Sequence, residues 1–205
     1  MSRVDDLRKH ALTRLQEFEV LMLDGHFDYG NGYHGRVYLN PHRLFRQPSL
    51  IWQLGQDLLD VVPDTILSEA EVVAGPLTGG ALLAHTMAGL LDGRRSLDRP
   101  PTSFAPLSLK GPDAGLRPFY RTVVAGKRVL LADDVRNTGK SFERSKAFIE
   151  SAGGTVIATV EIFDRLEAIV DLGIPNIALA EYRAPDNYAA AECPLCRERV
   201  PVTKF

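Results

Sequence analysis

Two carboxylates, Asp133 and Asp134, stand side by side at the end of the apolar run VLLADDV (129–135), and the polar turn RNTGKS (136–141) follows directly. A run this apolar reads as a strand buried on both faces. Paired acids at its end are costly unless they have partners. The turn after them opens a helix, and its free N–H groups and the helix dipole make an anion site. Carboxylates just upstream repel such an anion, so they suit hydroxyl groups or a metal ion. The arrangement fits a sugar phosphate, with ribose hydroxyls on Asp133 and Asp134 and a 5-phosphate in the turn. Asn137, Thr138, Gly139, Lys140 and Ser141 are the cradle candidates. A P-loop fits less well: TGKS ends like GxxxxGK[ST], but Asp134 stands where the first glycine belongs. The plain alternative is a strand–turn–helix whose acids only cap the helix.

A second constellation precedes it. In VVAGPLTGGALLA (72–84), Gly75, Gly79 and Gly80 allow close backbone approach to a phosphate, and Thr78 adds a hydroxyl donor. Alone, such a turn is weak evidence of phosphate binding; its order before the acid pair strengthens it.

These residues need a scaffold. Short apolar runs at 71–75, 102–106, 127–135, 155–164 and 176–183 alternate with helical segments at 79–91 and 141–154. That alternation predicts an α/β fold, a mostly parallel sheet flanked by helices. Upstream, Val4, Leu7, Ala11, Leu15 and Phe18 recur at helical spacing and predict a helix over 3–23, and Pro48 opens a second. Residues 24–40 read as loop with a short strand or two. The twenty residues 107–126 have weak periodicity and read as an unstructured active-site lid. We divide the single domain into N-terminal helices and hood (1–65), a core (66–184) and a tail (185–205).

The 205 residues suffice for one buried core. A net charge of −2 argues against a strongly basic nucleic-acid binder. No apolar run reaches membrane-span length, and MSRVDDLRKH is too charged for a signal peptide, so a cytoplasmic protein without membrane partners is expected.

VLLADDVRNTGKS resembles the phosphoribosyl-pyrophosphate (PRPP) signature of type I phosphoribosyltransferases, and VVAGPLTGG resembles the pyrophosphate loop of their orotate branch. GYHGRVYLN (32–40) is similar to the orotate-site segment, with His34 in the place of a Lys or His. FDRLE (163–167) is similar to the segment whose Arg holds the orotate carboxylate, which falls on Arg165. On spacing alone, an ion pair of Arg165 with Glu167 fits equally well. The resemblance implies the type I phosphoribosyltransferase fold and transfer of ribose 5-phosphate from PRPP to a base, most plainly orotate. It also implies Mg²⁺ carried with PRPP, with Asp133 and Asp134 as candidate contacts, and a homodimer whose lid serves the neighbouring subunit. Another base, or a PRPP-binding regulator that has lost catalysis, is the alternative.

The lid departs from the family. Aligned from Phe104, the basic positions fall on Pro106, Leu107, Lys110 and Pro112, so only Lys110 survives to close over pyrophosphate. Arg117, Arg121 and Lys127 are further cations in or beside the loop. Arg136, Asn137 and Lys140 also depart from the usual phosphate turn; Lys140 either adds a cation to the phosphate or faces solvent. The two cysteines, Cys193 and Cys196, form one CxxC, and a structural zinc wants four ligands. The five histidines are all far away in sequence. Zinc is therefore not expected at Cys193 and Cys196 within one chain, and two reduced thiols on a folded tail are. Zinc shared by a dimer would give one metal per two chains.

Overall fold

The computed structural model describes residues 2–30, 32–95, 99–167, 170–185 and 187–204. Helix α1 spans Arg3–Glu17, opened by a Ser2–Asp5 capping box. It ends short of the expected residue 23. Glu19 takes a left-handed φ of 53°, the Val20 amide bonds back to the Leu15 carbonyl, and the chain leaves as strand β1 (Leu21–Met22). Three more two- or three-residue strands follow: β2 (Phe27–Asp28), β3 (Tyr33–Gly35) and β4 (Tyr38–Leu39). β4 pairs with β1, and β3 with β2. Helix α2 (Pro48–Val61) starts on its proline, and the short α3 (Asp64–Glu69) leads into the main sheet.

That sheet contains β5 (Val72–Pro76), β6 (Ser103–Leu107), β7 (Arg128–Arg136), β8 (Thr155–Asp164) and β9 (Asn176–Glu181). Its order is β6-β5-β7-β8-β9, with every pairing parallel. Alternate residues feed opposite faces, as the pleat requires. Leu130 and Ala132 of β7 join a cluster with Ala11 and Leu15 of α1, Leu54 and Leu58 of α2, and Leu83 and Met87 of α4 (Gly79–Gly93). Val129 and Leu131 join a second cluster with Val124 of α5 (Pro118–Val124) and Phe142 and Ile149 of α6 (Lys140–Ser151).

The segment 107–126 is not an unstructured lid. Ser108 and Gly115 exchange backbone hydrogen bonds of 3.0 and 2.7 Å, closing a small loop with Lys110 near its tip, and α5 follows. Gly111 and Gly115 take positive φ there, which lets so short a loop close.

The tail returns to the N-terminal hairpin. Strand β10 (Tyr188–Ala189) pairs with β3, while Thr203 bridges to Phe27 on the other side. Between them lies one turn of helix, α7 (Pro194–Arg197). No helix among the described residues is long and apolar enough to cross a membrane.

Candidate active site

In an open parallel sheet, ligands bind beyond the carboxyl ends of the strands, where the strand order reverses. Here that crevice lies between β5 and β7. β5 delivers Leu77, Thr78, Gly79 and Gly80 to it, and β7 delivers Asp133 and Asp134.

The two segments interlock. A Cβ on Gly79 would sit 2.2 Å from Asp134 Oδ2, and one on Gly80 would sit 2.7 Å from Asp133 Oδ1. In sequence these glycines suit close approach to a phosphate. The structure gives them a more immediate task, since their missing side chains are where the carboxylates fit. Asp134 thereby rests against the N-terminus of α4, whose dipole favours a negative charge. The Asp134 amide donates to Asp133 Oδ1 at 2.9 Å, and the Val135 amide donates to Asp134 Oδ1 at 2.9 Å.

Those bonds do not offset the burial. Desolvation first, then the neighbouring Asp134 charge, pushes the Asp133 carboxyl well above the ordinary range. Glu161, beside Asp133 in register on β8, is 0% exposed and is pushed up to about 8, chiefly by burial. Asn176 donates to its Oε1 at 2.8 Å, and its Oε2 has no hydrogen-bond partner among the described residues. Glu161 is not among the expected site residues, although an acid inside the apolar strand TVEIFD is a signal of one.

After β7 the chain forms the expected turn. Gly139 caps α6 with φ 84°, a left-handed conformation that glycine adopts without strain. Residues 135–142 line a cavity of about 90 Å³, which takes in Asn137, Thr138, Gly139, Lys140 and Ser141 together. Arg136 is committed elsewhere: it pairs with Asp164 at 3.3 Å and donates to the Val170 carbonyl. The Val170 amide in turn donates to the Thr138 carbonyl at 3.2 Å, which fixes the turn from behind.

A cavity of about 400 Å³ adjoins the β5 turn. Leu77, Lys110 and Arg117 line it with Ser108 and Tyr120. Of the spare cations read from the sequence, Arg117 therefore joins Lys110. Lys127 does not, because it pairs with Glu71 at 2.8 Å at the other end of β7. Thr78 is exposed at the start of α4.

Arg165 lies just beyond β8, its amide bonded to the Arg136 carbonyl. It lines a cavity of about 320 Å³ with Tyr29, Val37, Tyr38, Leu39, Glu167 and Asn187. Its guanidinium pairs with Glu167 at 2.9 Å. The Tyr29 hydroxyl donates to the Val37 carbonyl at 2.6 Å, and its ring stacks on Tyr38 at 6.5 Å. Tyr29 and Asn187 were not read from the sequence, because nothing local ties residues 29 and 187 together.

His34 does not line this cavity. Its ring is buried against His26 and the two cysteines, with Nδ1 3.4 Å from Cys196 Sγ. This corrects two expectations at once. His34 is not turned toward Arg165, and the CxxC is not short of nearby ligands: ligand atoms of His26, His34, Cys193 and Cys196 all lie within 4.8 Å of one another. Sequence distance misled because the tail folds back onto the β2–β3 hairpin.

Asp133 and Asp134 fit a hard divalent cation. They are adjacent oxygen donors that repel each other, one of them buried, and Mg²⁺ binds through one or two carboxylates plus substrate phosphates.

Acids suited to hydroxyls, beside amides suited to a phosphate and at the crevice where the sheet reverses, have the layout of an α/β protein that holds a phosphorylated ligand. Comparison with known proteins narrows the class. The family described as "Phosphoribosyl transferase domain" matches residues 49–173. An orotate phosphoribosyltransferase of Erythrobacter litoralis is 33% identical over 198 residues, covering 96% of this chain and 95% of that one. The solved orotate phosphoribosyltransferase of Aeropyrum pernix superposes with a TM-score of 0.62 at 22% identity, over 83% of this chain and 93% of that one. The adenine phosphoribosyltransferase of Thermoanaerobacter pseudethanolicus superposes almost as well, with TM-score 0.60, 16% identity, and 83% and 99% coverage. The chain belongs to the phosphoribosyl transferase family, and its fold is the type I phosphoribosyltransferase fold. The fold alone does not choose the base.

Proposed function

We propose that this chain is an orotate phosphoribosyltransferase, a pentosyltransferase of pyrimidine nucleotide synthesis. It transfers the ribose 5-phosphate of PRPP to a ring nitrogen of orotate and releases pyrophosphate. The observation that carries this reading is the interlock of Asp133 and Asp134 with Gly79 and Gly80 at the crevice, with Arg165 in its own cavity at the same sheet edge. Relatives named for orotate, similar over nearly the whole chain, favour that base.

In this reading Asp133 and Asp134 orient the ribose hydroxyls. The turn 137–141 holds the 5-phosphate through its backbone amides and the hydroxyls of Thr138 and Ser141. The bond at the anomeric carbon breaks ahead of attack, so charge develops on the departing pyrophosphate. Lys110 and Arg117, which line one cavity beside the β5 turn, would balance it, and stabilising such charge is commonly the largest catalytic contribution. Arg165 exchanges Glu167 for the orotate carboxylate, which its planar fork matches bidentately. Mg²⁺ bound with PRPP would neutralise phosphate charge, with Asp133 and Asp134 as its protein donors. We further assign a cytoplasmic homodimer that binds neither nucleic acid nor membrane.

The test is pyrophosphate release from PRPP and Mg²⁺ against a panel of bases. Orotate alone is expected to support turnover. Release with a base that lacks a carboxylate, unchanged by Arg165→Ala, overturns the assignment. The lid keeps only Lys110 of the family's cations, which favours a second reading as a PRPP-binding regulator. Tight PRPP binding by calorimetry, with no release on any base, would establish that reading instead.

A further inference from the structure

We propose that His26, His34, Cys193 and Cys196 form a closed four-ligand zinc site within one chain, joining the C-terminal tail to the N-terminal hairpin. His26 Nε2 lies 3.1 Å from His34 Nδ1, 3.5 Å from Cys193 Sγ and 3.7 Å from Cys196 Sγ. His34 Nδ1 lies 3.4 Å from Cys196 Sγ. A tetrahedron built with Zn–N of about 2.0–2.1 Å and Zn–S of about 2.3 Å has edges of about 3.3 Å between nitrogens and about 3.5 Å between nitrogen and sulfur. Four of the six edges lie within about 0.2 Å of those separations, and all four ligand atoms lie within 4.8 Å of one another.

The outer atoms of the rings agree. His26 Nδ1 is 2.8 Å from the Val200 carbonyl oxygen, which only accepts, so the hydrogen bond assigns the proton to Nδ1. The His26 Nε2 lone pair then faces the cluster. His34 Nε2 faces the Asp28 carboxylate at 4.0 Å, and with its proton on that nitrogen the Nδ1 lone pair turns inward. With both protons on the outer nitrogens, two inward lone pairs stand 3.1 Å apart beside two sulfurs, an arrangement that a cation between them stabilises. Carbonyl and carboxylate partners on the outer nitrogens are what metal-bound imidazoles carry. Two thiolates and two imidazoles, with no water position, select zinc and a structural role.

The other contacts that hold the lobe, among the described residues, are short strand pairings and a few side-chain bonds. Its sheet β10-β3-β2 has strands of two or three residues. Phe27, Cys193 and Leu195 are buried there, yet belong to neither large apolar cluster. A hairpin of this size is marginal by itself, and a structural metal supplies folding free energy directly. His26, His34 and Cys193 are buried, with Cys196 at the surface edge.

The test is metal analysis of the full chain purified under reducing conditions without chelator. About one zinc per chain is expected, since one chain supplies all four ligands. Exchange with cobalt(II) is expected to give the visible and thiolate charge-transfer bands of tetrahedral sulfur-bound cobalt. Cys196→Ser, at the exposed edge, is expected to weaken zinc retention against a chelator by at least the roughly ten- to hundredfold that loss of even an outer partner costs. Should that variant not fold, chelator titration of the wild-type chain gives the same answer through a lowered melting temperature restored by zinc. Metal-free protein without a cobalt spectrum overturns the proposal. So does a Cys193–Cys196 disulfide in the fresh protein, or one zinc per two chains.

Discussion

The ribose-phosphate end of the sheet and the base-side lobe are built in opposite ways. The first comes from two unbroken pieces of chain, 72–80 and 129–141, each a strand running through a turn into a helix. The second is assembled from residues 26–39, 165–167 and 187–203, held by two-residue strands and side-chain contacts. The first region sits on a sheet buried on both faces and tolerates the cost of three neighbouring acids. The second has little apolar area of its own and relies on polar cross-links. Regular structure is concentrated around the acid pair, and long-range closure around Arg165.

The largest expected effect breaks the rigid side. Asp134→Asn preserves shape and removes charge beside Gly79, so kcat/KM should fall about 100- to 1000-fold, the range for removing one preorganised electrostatic group. Asp133→Asn should also lose activity while raising the melting temperature at neutral pH, because it discharges a buried carboxyl. A falling melting temperature would show that the ionised pair holds the crevice together.

Glu161→Gln measures what that side costs without touching substrate. The folded carboxyl titrates at about 8, above its ordinary 4.5. Below about pH 4.5 both folded and unfolded chains hold the proton and nothing changes. Between 4.5 and 8 only the folded chain holds it, so this group makes stability fall as pH rises, by up to about 1.4 kcal/mol per pH unit. Above 8 the penalty is complete. Denaturant melts across this window should show the slope in the wild type and a flatter line in the variant.

On the base side, Arg165→Ala should raise the KM for orotate about 10- to 100-fold, the cost of a charged hydrogen bond of about 1.5–3 kcal/mol, with the KM for PRPP nearly unchanged. Equal changes in both would erase the distinction between the regions. Lys110→Ala should give the smallest effect, about tenfold or less in kcat, because Arg117 shares its cavity. A loss far beyond tenfold would make Lys110 the sole lid cation.

The same contrast governs what the sequence discloses. Asp133, Asp134 and the turn 137–141 were legible because the acids and amides follow one another along a single strand and helix start. The parallel sheet was legible from alternating apolar runs. Helix α1 was overrun by six residues, since the left-handed Glu19 that stops it is not a glycine. Segment 107–126 hid its loop and helix because polar residues and prolines blur helical periodicity. Tyr29, Asn187 and the approach of His26 and His34 to the CxxC depend on pairing at separations above 150 residues, which no local spacing records.

The Arg165–Glu167 contact sets a threshold for entry. Glu167 is tethered two residues from the guanidinium, so it acts as a competing anion at the millimolar effective concentration typical of short links. A small stray acid offering only a carboxylate gains nothing by displacing it. Under the proposed function, a base that also stacks against the cavity's tyrosines and engages Asn187 is expected to outcompete the tether. Under the proposed function, the Glu167 carboxylate is expected to make the cavity discriminate against small acids that offer nothing else.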